Sequence, residues 1–314
     1  MVGPASLGSS QVFRALADSL PGIEVTSGLD ARSTAILFQL RLPRVALGSV
    51  VGAMLALSGA AYQGVFRNPL ADPYLLGVAA GAGLGATLAF AYGSSGGLLP
   101  LMAFCGAVAG VLATYLIGRS FGSGRNTTSL ILAGVAVASF LTAIQTYLQQ
   151  REAETMREVY SWILGRLATS GWSEVRLVLP YALVSTVVIL LHRRLLDVLA
   201  VGESEADSLG VHTSRVRLVI VAAATLGTAA VVAVSGLIGF VGIIVPHAVR
   251  LVFGGSYRTL LPLSAIFGAA FLVLVDVLAR TVVSPAELPI GVVTAFFGAP
   301  FFAVVLRTSR RFAS

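Results

Sequence analysis

The chain has 314 residues, 56% of them hydrophobic and only 11% charged, with a formal net charge of +7. A soluble domain carries roughly a quarter charged residues, so this composition belongs in lipid. All 21 basic residues are arginine; without a lysine to reach phosphates the chain is not itself a P-loop ATPase, and the basic excess reads as membrane topology rather than nucleic-acid binding.

Residues 1–40 mix polar and apolar positions, with a short amphipathic helix predicted around Gln11 to Leu20. No basic segment leads into an apolar core, so no signal peptide is read there. Nine apolar runs follow, at 45–66, 74–92, 98–118, 128–148, 177–192, 216–235, 238–253, 259–275 and 289–306. Each approaches the roughly 20 residues that cross about 30 Å of hydrocarbon. The run 238–253 is the short one, and Gly239, Gly242 and Pro246 predict that it is kinked or broken. The expected fold is all-α: one polytopic membrane bundle, residues 1–314, with no internal repeat.

The stretch 41–77 organises the rest. Arg41 and Arg44 stand before the first run, and Gly48, Gly52, Ala56, Ala60 and Gly64 recur every four residues along it. Such a seam of small side chains lets a neighbouring backbone approach closely. Gly77, Gly81 and Gly85 repeat the pattern in the second run, and Gly106 with Gly110 in the third. Between the first two runs lies a polar corner. Asn68-Pro69 predicts an extended turn, and Asp72 is placed to cap a helix starting at Pro73.

Nine spans put the termini on opposite faces, and charge selects which is which. With the C-terminal Arg307, Arg310 and Arg311 inside, the inner face collects twelve arginines and five acids, the whole +7. The outer set then balances to zero, which follows the positive-inside trend.

Several stretches carry no evident packing role. The loop 193–217 is the longest inner connection. Gly202 ends one apolar piece, and Glu203 to Leu209 form an acidic turn closed by Gly210. Leu195, Leu196, Val198, Leu199, Leu209 and Val211 suit either an interfacial helix on headgroups or a docking surface for a cytoplasmic partner. On the outer face, Arg41, Arg44 and Arg280 call for an acidic partner or lipid phosphate. Asp276 offers Arg280 an i,i+4 ion pair, whereas Arg41 and Arg44 have no equally near acid in sequence. Gln63, Gln145, Asp276 and His247 are the polar positions inside runs, and they should face protein or a water-filled path. The lone Cys105 reads as inert packing and His247 as a capping or packing histidine. No His/Cys/carboxylate group has metal-ligand spacing, and no nucleophile stands with a base.

Six motifs in order accumulate into a pattern: R-L-P-R, F-R-N-P-L-A-D-P-Y-L-L-G-V, T-T-S-L-I-L-A-G-V-A, L-A-V-G-E-S-E-A-D-S-L-G-V, G-L-I-G-F-V-G-I-I-V-P-H-A-V-R-L and A-E-L-P-I-G-V-V-T-A-F-F-G-A-P-F-F. Over residues 30–310 the chain resembles the FecCD family, permease subunits of type II ABC importers for iron-siderophores, haem and cobalamin. The resemblance implies a pair of permeases (two copies, or this chain with a related one) around a translocation path. It also implies two ATPase subunits on the cytoplasmic face, which carry ATP and Mg, and an extracytoplasmic binding protein. No cofactor is implied in this chain, nor any nucleic acid. Arg41, Arg44 and Arg280 match the arginines that meet the binding protein. Asn68 and Leu70 match one segment of the cytoplasmic gate, and Thr127 and Thr128 the other. Gly202, Glu203, Glu205, Leu209 and Gly210 match the ATPase-coupling loop. Family members have ten spans, and Met1 falls where the first should end, so a helix preceding residue 1 is expected to be missing from this sequence.

The expected function is therefore that of an ATP-driven importer's membrane subunit in a bacterial or archaeal cell membrane, carrying an iron chelate, haem or cobalamin. Two rivals remain open at this point. A stand-alone secondary transporter would need mid-membrane carboxylates, for which only Asp276 comes near. A membrane scaffold would not need the acidic turn.

Overall fold

The computed structural model describes residues 8–19, 25–26, 28–93, 97–120, 127–167 and 171–309, and among these it contains helices and turns but no strand. Thirteen helices serve as landmarks: α1 Ser9–Asp18, α2 Ala31–Phe66, α3 Val78–Ala91, α4 Leu98–Ser120, α5 Thr127–Arg151, α6 Met156–Ile163, α7 Ser173–Leu191, α8 Arg193–Val201, α9 Glu203–Ser208, α10 Thr213–Ser235, α11 Val241–Phe253, α12 Tyr257–Thr281 and α13 Ile290–Ser309. Every one of the nine apolar runs is occupied by a helix. Six of these helices are long enough to cross a membrane, while α3, α11 and the apolar part of α13 are shorter. Arg125, Arg310 and Arg311, counted to the inner face above, lie outside the described residues, as does the Leu20 end of the first predicted helix.

Helix α2 is the mast. It is largely buried and packs against α7, α8, α10, α11 and α12. The seam predicted along it is used as expected. A Cβ on Gly52 would collide with the carbonyl of Gly268 in α12; Gly59, outside that seam, comes as close to the backbone of Gly242 in α11. The α3–α4 pair is built the same way: Gly81 meets the carbonyl of Gly106, and Gly85 that of Met102. These backbone approaches trade side-chain volume for contact area, which is how helices associate in lipid. By contrast α5 and α7 lie at the margin, with little of either helix covered.

Three expectations are corrected by the structure. The first span does not begin after Pro43: helix α2 runs back to Ala31, with a π-helical stretch at Ile36–Arg41. A proline has no N–H for the preceding turn, and the widened turn accommodates Pro43 without ending the helix. Second, Pro73 does not open a helix. Residues 73–77 form turns, and α3 starts only after Gly77, whose φ of 82° takes the left-handed conformation. Third, Cys105 is exposed on the outer side of α4 rather than packed inside.

The break expected around residue 239 is present. Residues 236–240 leave the helical path between α10 and α11, and Phe240 adopts φ 68°. Helix α11 then runs through Pro246 to Phe253. A further segment had no counterpart in the sequence reading. Helix α6 and residues 164–167 form a plug, with Val159, Trp162 and Leu167 buried. Arg166 N–H donates to Ser235 at the end of α10, and Gly165 and Leu164 accept from Ile290 and Gly291 at the start of α13.

Candidate functional site

The polar side chains gather at the two ends of the bundle. At the Arg44 end, two of the three arginines picked out by sequence, Arg44 and Arg280, meet around one buried carboxylate, with Arg41 near Arg280. Arg44 donates to Asp276 Oδ1 through Nε at 3.0 Å and Nη2 at 2.8 Å. The same guanidinium reaches Glu287, with Nη1 to Oε1 at 3.1 Å and Nη2 to Oε2 at 2.8 Å. Arg280 takes the other face of Asp276, Nε to Oδ2 at 3.1 Å. The Asp276 side chain is only 4% exposed, whereas that of Glu287 is 52% exposed. Arg41, one turn before Arg44, stands near enough to Arg280 to repel it. The local Asp276–Arg280 pair is thus present, but Arg44 also has two acids, 232 and 243 residues away in sequence, that no local pattern could supply.

Asp276 receives charge-assisted bonds from two arginines, the arrangement that makes a buried carboxylate tolerable. It ties α2 to α12 and, through Glu287, to the turn before α13. Both Asp276 oxygens are occupied by arginine, which leaves this intramembrane acid poorly suited to holding a coupling ion.

At the opposite end the corner 67–77 is folded on itself. Arg67 closes α2 with φ 50°, and its N–H and that of Asn68 return to Gly64 and Gln63. Asn68 Oδ1 accepts from Leu70 N–H at 2.9 Å, and Asp72 Oδ1 from Tyr74 N–H at 2.8 Å. Asp72 is therefore the pivot of a turn and not a helix cap. Burial pushes its carboxyl up to about 6, against the lowering effect of the Tyr74 N–H. Tyr74 extends the corner sideways. Its hydroxyl donates to Ile238 O and accepts from Ile238 N–H, both at 3.1 Å, joining the corner to the α10–α11 break. Sequence reasoning missed this link, which has no signal short of the fold.

Helices α8 and α9 meet at Gly202, whose backbone is extended. Helix α8 turns Leu196 and Leu199 into the core, with Leu196 against the Gly64 end of α2. Asp197 fastens α8 to α12: Oδ1 accepts from Tyr257 N–H at 2.6 Å and Oδ2 from Ser256 Oγ at 3.1 Å. A carboxylate there satisfies orphan donors and opposes the helix dipole. Helix α9 buries Ala206 and exposes Ser204, Glu205, Asp207 and Ser208, with Leu209 71% exposed. Gly210 closes it at φ 76°. The Glu205 backbone N–H, Ser204 and the charge of Arg67 hold the Glu205 carboxyl below its ordinary range. The acidic turn consequently sits beside the corner that carries Asn68 and Leu70. Thr127 and Thr128 begin α5.

The other polar positions named inside the runs face protein, with Gln145 against Gly83 of α3. Gln63 donates to Gly242 O and accepts from Arg250, each at 3.1 Å, and His247 packs edge-on against Phe301. Among the described residues no group of three metal-ligating side chains converges.

A polytopic bundle with six helices long and apolar enough to cross a bilayer is a multi-pass membrane protein. The comparisons make this specific. The model of the FecCD transport family matches residues 1–308, and the chain belongs to that family. It is 43% identical to the cobalamin import system permease protein BtuC of Halobacterium salinarum, over 89% of this chain and 75% of that one. Identity is 40% to the hemin transport system permease protein HmuU of Yersinia pestis, over 88% of this chain and 84% of the relative. A solved inward-facing ABC transporter described as of metal-chelate type superposes with a TM-score of 0.81 at 33% identity, covering 95% of this chain and 96% of the other. The chain is accordingly a transmembrane permease subunit of an ABC importer, a family in which ATPase activity lies in separate subunits.

Proposed function

We propose that this permease pairs with a second permease, docks two ATPase subunits at the α8–α9 end, receives a binding protein at the arginine end, and imports an iron chelate, haem or a corrinoid. The observation that carries this reading is the placement of the two ends on one mast. Arg44 opens the buried part of α2, while Gly64, twenty residues on, packs against α8. At 1.5 Å per residue the two surfaces stand about 30 Å apart, one hydrocarbon thickness. Relatives named for cobalamin and hemin support the cargo class.

In this reading α9 is the foot that an ATPase moves. Its shift reaches the corner through the Glu205–Arg67 attraction and the packing of Leu196 on α2. Asn68 and Leu70 on the corner, with Thr127 and Thr128 at the start of α5, form the cytoplasmic gate that the corner opens and closes by alternating access. Affinity for cargo resides in the binding protein, and Arg41 orients that protein on the outer face.

The test is co-purification with an ATPase whose hydrolysis a soluble binding protein stimulates. Arg41→Glu should weaken binding-protein docking, docking should fall with salt, and ATPase assembly should be unchanged. Uptake into vesicles that hold a proton gradient and no ATP would overturn the proposal in favour of a secondary transporter.

A further inference from the structure

Pro246 leaves a gap in the hydrogen bonding of α11. A proline has no N–H, so the carbonyl one turn earlier, that of Gly242, loses its partner within the helix. A carbonyl orphaned inside the bundle needs another donor. Gln63 of α2 supplies it: Nε2 donates to Gly242 O at 3.1 Å, from a side chain only 1% exposed. That bond fixes which way the amide faces. Its oxygen is turned to Arg250, further along α11, whose Nη2 donates to Oε1 at 3.1 Å. One neutral amide thus spans the proline gap and carries a guanidinium.

Gln63 also stands between the corner and the foot. Its backbone carbonyl accepts from Asn68 N–H at 3.1 Å, where the corner begins. Arg250 reaches the hydroxyl of Tyr257 as well, whose ring lies against Gly64 and whose backbone N–H is held by Asp197 of α8. From α8 to the corner the chain of contacts therefore runs Asp197, Tyr257, Arg250, Gln63, Asn68. A second grip ties the corner to the start of α11, with Pro73 against Gly242 and Tyr74 on Ile238.

We propose that Gln63 and Arg250 are positioning residues for the gate: movement of α8 passes through Arg250 to the Gln63 amide, and from there to Asn68. The inference rests on the ATPase subunits docking at α8–α9 and on the corner acting as part of the gate. A guanidinium held by a neutral amide is bound less tightly than one held by a carboxylate, so this bond suits a joint that is remade in each cycle, whereas Arg44 and Asp276 form a pair that is costly to part.

The experiment puts spin labels on Pro69→Cys in the corner and Arg119→Cys at the end of α4, in a Cys105→Ser background. The permease is assembled with its ATPase subunits, and double electron–electron resonance reads the distance between the labels with and without ATP. ATP should move the corner in the chain that carries no further change. Pro246→Ala returns an N–H to Gly242 and releases the Gln63 amide. It should cut the ATP-driven change in the ratio of the two distances about tenfold, the factor to which about 1.4 kcal/mol converts, while thermal unfolding stays level or rises. Gln63→Met and Arg250→Met should each do the same to the distances. The two together should lose no more than either alone, since residues acting through one bond lose it once. An undiminished shift in Pro246→Ala or in Arg250→Met overturns the proposal and leaves the docking of the ATPase at α8–α9 standing, as does an additive loss in the double variant. No ATP-dependent shift even without these substitutions overturns that docking and the proposal with it. Should Gln63→Met fail to fold, Pro246→Ala and Arg250→Met decide.

Discussion

The two charged ends of this permease are built on opposite principles. Around Asp276 the charges are drawn inward and matched: two arginines and two acids neutralise one another across three segments of chain. At α9 Glu205 and Asp207 are exposed and make only short-range bonds, while Ala206 is buried in the core. The first arrangement fixes the relative position of helices. The second leaves a charged, partly apolar foot with few long-range bonds to the rest of the chain. Charge alone therefore does not distinguish a docking residue from a strut; the number of intramolecular bonds already made does. By that measure Arg44 and Arg280 are struts first.

The largest effect should come from removing the centre of the matched cluster. Asp276→Ala leaves the half-buried Arg44 and Arg280 without their shared carboxylate, and Arg44 with Glu287 alone. Breaking a buried ion pair from one side costs about 3–5 kcal/mol, so unfolding in detergent should shift far towards lower denaturant. A change under 1 kcal/mol would mean that the cluster is wetter than its geometry indicates, and that Arg44 is free to serve as a docking residue.

The corner at Asp72 supplies the next effect, with a pH signature. Its carboxyl is raised to about 6 from an ordinary value near 3.8. The folded state thus binds the proton more tightly than the unfolded one, and stability is full below about pH 4 and falls as pH rises through 6. Asp72→Asn should remove that slope and raise stability at neutral pH by about 1–2 kcal/mol, since the amide oxygen can still accept from Tyr74 N–H. Thermal unfolding from pH 4 to 7 reads this directly. A wild-type profile without the slope would show that the corner is solvated.

Third comes the seam. Gly52→Val drives a side chain into the Gly268 carbonyl, and backbone does not yield as a flexible side chain does. Overpacking of this kind costs about 1–3 kcal/mol. The same substitution at Gly239, where nothing lies within 4 Å of an added Cβ, gives the control.

How much of this was legible beforehand follows from the range of each interaction. The nine apolar runs and the glycine seams are local patterns: each run holds a helix, and the seams marked faces of close approach without naming the helix that would meet them. The acidic turn from Gly202 to Gly210 was also local and came out with its boundaries intact. What escaped depends on the fold: Arg44 meeting Asp276 and Glu287, Tyr74 meeting Ile238, and the π-helical stretch that carries α2 through Pro43. Helix α6 was missed for a different reason. Val159, Trp162 and Ile163 have helical spacing, but eight residues between two spans resemble a connecting loop until Trp162 is seen buried under the α10–α11 break.

The smallest effect on stability is expected at α9, and it is the one that tests the comparison most sharply. Replacing Glu205 and Asp207 together by Ser should change unfolding by no more than about 0.5 kcal/mol, because exposed charges of this sort contribute little to the fold. Transport should nevertheless be lost, with ATP hydrolysis no longer responding to the loaded binding protein. The pairing of an unchanged unfolding curve with lost coupling is what separates a foot from a strut, since Asp276→Ala should move the curve first. Normal transport by the double variant would remove α9 from the coupling path, and Leu196 and Asp197, which fasten α8 to α2 and α12, would be the next residues to carry that motion.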